Sequence, residues 1–141
     1  MKKNSTGRVI LISLAALTAT GGFIADLNKT HLFNPNWTPH SKFHDAMTIL
    51  LATMLGSGSI YLLQKKDGDK DLQLKIAALL PASFWTAMLG SFAFPGAKGI
   101  EAEFPEKVKK VGPVVLNEAA ASIGMLSLIG LAYIAARKVN S

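Results

Sequence analysis

The sequence predicts an all-α fold, an integral membrane four-helix bundle, and three observations lead there. First, charge is excluded from long blocks: 17 positions from Val9 to Ala25, 19 from Ala46 to Gln64 and 22 from Ile76 to Ala97. A fourth block, 26 positions from Val111 to Ala136, holds one charge, Glu118. A bilayer core about 30 Å thick needs roughly 17–25 apolar residues in a helix. Second, the chain of 141 residues is 50% apolar with a mean hydropathy of +0.32. Third, it contains no cysteine. Together these argue against a soluble enzyme, a secreted disulfide scaffold and a disordered chain. The length allows one transmembrane domain over residues 1–141, with spans at about 8–25, 44–64, 75–95 and 112–136.

The first span is aliphatic and then turns to Thr18, Thr20, Gly21 and Gly22, small residues that let helices approach closely. Met1-Lys2-Lys3 opens like a signal peptide, but residues 17–22 hold no Ala-x-Ala and the apolar run continues through Phe23 and Ile24. The segment is therefore expected to stay as a span. In the first loop, Pro35 and Pro39 fix φ and favour an ordered, turn-rich path. Pro39 is also placed to open the second helix. That helix carries Gly56-Ser57-Gly58-Ser59, another close-packing signature. The second loop, Lys65 to Lys75, is short and charged, with Asp67-Gly68-Asp69 as its turn. Pro81 is expected to kink the third span, which ends at Pro95-Gly96. The third loop alternates acid and base, and the fourth span is expected to start at Gly112-Pro113.

The net charge of +6 would suggest nucleic acid in a soluble domain. Here the basic residues flank the apolar blocks, so the charge reads as topology and no nucleic-acid partner is expected. Lys2, Lys3, Arg8, Lys65, Lys66, Lys70, Lys75, Arg137 and Lys138 fall on one side of a four-span chain. Lys29, Lys42, Lys98, Lys107, Lys109 and Lys110 fall on the other. The excess predicts cytoplasmic termini in a bacterial inner membrane.

Four crossings bring the end of span one, the start of two, the end of three and the start of four to one face. Most residues capable of chemistry lie there. His40 and His44 are four apart, so their rings share a helix face. Glu118, expected a turn or two inside span four, would be costly in lipid unless partnered, by roughly 2.5–3.5 kcal/mol at mid-span. His44, Asp45 and Glu118 are the candidate acid/base residues. His31, His40 and His44 are candidate ligands for a divalent transition metal as cofactor. Asp26, Asn34, Trp37, Trp85 and Asn117 are candidate substrate-binding residues.

The stretch from Ala25 to His44 carries Asp26, Asn28, Thr30, His31, Phe33, Asn34, Pro35, Trp37, Pro39, His40 and His44 in one spaced motif. It resembles a pattern found in small four-span membrane proteins of bacteria and fungi, and that resemblance implies a shared fold and polar site. The architecture is also similar to the emopamil-binding sterol-isomerase superfamily. That likeness implies a lipid-facing cavity with acidic residues, histidine and an aromatic wall, for which His44, Asp45, Glu118 and Trp85 would be the counterparts.

Three readings follow. The protein binds or transforms an apolar molecule, such as a lipid, isoprenoid or sterol, by acid/base chemistry. Alternatively, the histidines ligate a metal. Or the chain is a non-enzymatic accessory subunit whose small-residue faces (Gly56, Gly58, Ala120, Gly124) pack on a membrane protein partner or on another copy of itself. Membrane lipids are partners in every case.

Overall fold

The computed structural model describes residues 6–140. Lys2 and Lys3, counted above towards orientation, lie outside the described residues. Four helices dominate: α1 (Thr6–Ala25), α2 (Pro39–Gln64), α3 (Lys70–Ser91) and α4 (Glu118–Asn140). All four are long and apolar enough to cross a bilayer. At 1.5 Å per residue even α1, with its 20 residues, is about 30 Å long. The chain is thus a multi-pass membrane protein built as an all-α four-helix bundle.

The helices form a ring in chain order. Each packs on its sequence neighbours, and α4 closes on α1. The contacts run antiparallel. Gly56 of α2 meets Ala15 and Ala19 of α1, whereas Gly22 meets Ile49. Any Cβ on Gly56 would collide with the α1 backbone at Ala15 and Ala19. The approach lets Thr53 Oγ1 donate to the Ala19 carbonyl at 2.9 Å. Gly7 makes the equivalent approach between α1 and α4, against Ala132 and Ala136. Gly56 is therefore used within the chain, and Gly58 faces Leu80 of α3. Only part of the small-residue face expected to serve a partner points outward; Gly124 does.

Pro81 lies inside α3 and is fully buried. Lacking an N–H, it leaves the carbonyl of Ala77, four residues earlier, without its helical donor. Ser59 Oγ of α2 donates to that carbonyl at 2.6 Å. The helix runs on through the proline because a neighbouring helix restores the lost hydrogen bond.

The buried apolar cluster sits towards the ends of the bundle that carry the termini and the second loop. Leu11, Leu14, Leu63, Leu74, Ile129 and Ala136 belong to it. Around the outside, Leu17, Leu50, Met54, Leu79, Leu131 and Ile134 are exposed, as helices facing acyl chains require. The second loop is held by Asp69, whose carboxylate caps α3 by accepting from Asp71 N (2.9 Å) and Leu72 N (3.1 Å).

The fourth helix differs from the expectation. Residues 110–115 form a small antiparallel hairpin, β1 (Lys110–Val111) with β2 (Val114–Val115). Gly112 turns it with φ +59°. Pro113 is thus a turn residue and does not open a helix. Asn117 caps α4 instead, its Oδ1 accepting from Ala119 N (3.1 Å) and Ala120 N (3.3 Å). Helix α3 likewise starts at Lys70 and stops at Ser91, several residues ahead of the expected span.

Candidate functional site

The end of the bundle opposite the apolar cluster carries the polar groups. Loop one, residues 26–38, is folded tightly by its own side chains. Asp26 O accepts from Asn28 N (2.8 Å) and Leu32 N (3.0 Å). Asn28 Oδ1 accepts from Thr30 N (2.8 Å). Asn34 is buried, and its Oδ1 accepts from Asn36 N (2.9 Å) while its Nδ2 donates to Thr30 O (3.4 Å). These are side-chain turns of the kind Asn favours. Asn34 therefore shapes the loop.

The folded loop aims His31 back at the end of α1. His31 Nε2 lies 3.7 Å from Asp26 Oδ1. Its Nδ1 is 2.9 Å from Thr30 Oγ1, and Trp37 meets the ring edge-on at 5.6 Å. Asp26 lies near enough to Asp45 of α2 and Glu118 of α4 to feel both charges. Burial, reinforced by those two carboxylates and opposed by His31, pushes the Asp26 carboxyl above its ordinary 3.8. Asp45 also interacts with His31, and its buried Oδ2 has no hydrogen-bond partner.

Glu118 is the first residue of α4, where the helix dipole favours a carboxylate. Its partner is a backbone donor, because Ile100 N donates to both carboxylate oxygens at 3.0 and 3.2 Å. The histidine partner expected from depth is not the one found. The reason is the hairpin, which shortens the helix and lifts Glu118 to the level of loop three. Asn117 Nδ2 donates to Glu101 Oε1 at 2.9 Å. Gly99 is buried between the two acids, and a Cβ there would strike both Glu101 Oε2 and Glu118 Oε2.

The histidines are divided. His31 joins the carboxylates, whereas His40 and His44 are exposed on α2, their Nε2 atoms 3.1 Å apart. Asp45 turns into the bundle and its neighbour His44 does not. No group of three or more His, Asp or Glu side chains able to hold a metal occurs among the described residues. Trp85 is a bundle residue: its Nε1 donates to buried Thr18 Oγ1 of α1 at 2.9 Å, and it packs on the core.

A half-open cavity of about 300 Å³ lies between α2 and α3. Thr48, Leu51, Phe84, Ala87 and Met88 form its walls within the spans. Lys98, Gly99 and Glu118 form its polar end. The sequence reading missed Lys98, Gly99 and Glu101. Glu101 is one of three similar acids in a mixed-charge loop, and nothing in its spacing separates it from Glu103 and Glu106.

One comparison with known proteins finds a match: the model of a family of unknown function, DUF6640, matches residues 11–140. No curated protein and no solved structure matches.

Proposed function

The chain belongs to the DUF6640 family, and we propose that it holds an apolar molecule, such as a lipid, isoprenoid or sterol-like compound, between its spans and acts on that molecule's polar end by acid/base chemistry. One observation carries the reading. The cavity has apolar walls at bilayer depth and a carboxylate, Glu118, at its head-group end. Ligand sites are of this kind, mostly apolar with a few polar groups that orient the ligand. Leu51, on the cavity wall, is also half exposed, so the cavity borders the surface that faces acyl chains. A ligand could therefore enter from the bilayer without passing through water.

Proton transfer would use the groups that share an electrostatic environment with Glu118, the carboxylate at the cavity's polar end. Asp45 offers an oxygen with no protein partner. Asp26 and His31 form a carboxylate–imidazole pair. In this reading His31 takes the imidazole role that the sequence suggested for His44, while Asp45 and Glu118 keep theirs. The termini are cytoplasmic, so the site lies at the opposite face.

Photoreactive fatty-acid, isoprenoid and sterol analogues, applied to the protein in native membranes, test the proposal. At least one should label peptides containing Phe84 and Met88, and Leu51→Trp or Ala87→Trp should suppress that labelling by filling the cavity. Labelling spread evenly over outward residues such as Leu79 and Leu131, and indifferent to both tryptophans, would overturn it.

A further inference from the structure

We propose that His40 and His44 form a chelating site for one divalent transition ion of the class that prefers nitrogen ligands: Zn²⁺, Ni²⁺ or Cu²⁺. The two Nε2 atoms lie 3.1 Å apart, in a hydrogen bond whose proton a shared ion would replace. With metal–nitrogen bonds of roughly 2.0–2.1 Å, that separation subtends an angle of about 100° at a shared ion, between the right angle of square-planar or octahedral ligands and the tetrahedral angle. The spacing is maintained by local structure. Thr38 caps α2 through Ser41 N (3.1 Å), and Pro39 stands in the first turn. The helix is therefore formed where the pair needs it, and i,i+4 side chains meet. Phe43 orients both rings, stacking on His40 (6.1 Å, 5° between planes) and meeting His44 edge-on (5.6 Å, 77°).

The donor set decides the ion. Two imidazoles without a carboxylate favour borderline ions over Mg²⁺ and Ca²⁺, which take oxygen. Asp45, whose Oδ2 is buried, does not complete a three-residue ligand group with the pair. Both histidines are exposed, so water can complete the coordination. The site is separate from the cavity and does not depend on the lipid reading.

Isothermal titration of the full chain, free of any histidine tag and held in detergent, with Zn²⁺, Ni²⁺ and Cu²⁺ in turn tests the site. One ion per chain should bind for at least one metal. His40→Ala and His44→Ala should each weaken that binding at least about tenfold, and His31→Ala should leave it unchanged. The double substitution Lys42→His with His44→Lys keeps the histidine count and net charge but moves one ring off the shared face, and it should lose binding as His44→Ala does. Helical circular dichroism checks that each variant is folded. Absence of binding for all three ions, or binding that survives the double substitution, overturns the proposal.

Discussion

Asp26 illustrates how one residue links chemistry to stability. It closes α1, faces His31 and shares its surroundings with Asp45 and Glu118. Its carboxyl is raised because burial disfavours the charged form. A raised carboxyl binds its proton more tightly in the folded state than in the unfolded chain. Its stabilising contribution is therefore complete below the ordinary value of 3.8 and is lost as pH rises through the elevated one. Asp26→Asn should flatten that fall, so that thermal unfolding of the variant in detergent varies less with pH across the weakly acidic range. A fall in the variant as steep as in the parent would show that another group causes it.

Among elements, the α2–α3 contact rests on a proline that needs help from its neighbour. Ser59 supplies the donor that Pro81 denies to Ala77. Interhelical hydrogen bonds in membranes are worth about 0.6 kcal/mol on average and up to about 1.7. Ser59→Ala should destabilise the bundle within that range. With Pro81→Ala, α3 gains its own donor for the Ala77 carbonyl, and Ser59→Ala should then have a smaller effect. Equal losses in both backgrounds, measured as a double-substitution cycle in detergent unfolding, would refute the coupling. Pro81 was legible as an irregularity in the sequence, but its partner was not, because Ser59 belongs to a different helix.

For the whole molecule, the antiparallel ring puts loops one and three at one end and loop two at the other. The chain has no cysteine, so single cysteines report location without background. Asn36→Cys and Glu103→Cys should react with an impermeant thiol reagent from the same side of the membrane, and Asp67→Cys from the opposite side. The excess of basic residues flanking loop two and the termini predicts that 67 is the cytoplasmic position. Reaction of 36 and 103 from different sides would break the shared face on which the acid cluster depends.

Four helices, and the end of the bundle at which loops one and three meet, follow from the linear pattern of apolar blocks. Hydropathy settles these because a backbone in lipid must satisfy its own hydrogen bonds, which forces each long apolar block into a helix. Which histidine meets the carboxylates depends on packing between segments distant in the chain. Loop one folds on Asn28 and Asn34 and brings His31 to Asp26, while helical rotation turns His44 outward beside His40. The depth of Glu118 is set in the folded chain as well, because the turn at Gly112 and the cap at Asn117 start α4 later than its hydropathy implied. Hydropathy measures only how apolar a segment is. A positive φ, a capping bond or a rotation about a helix axis depends on contacts that the linear pattern does not contain.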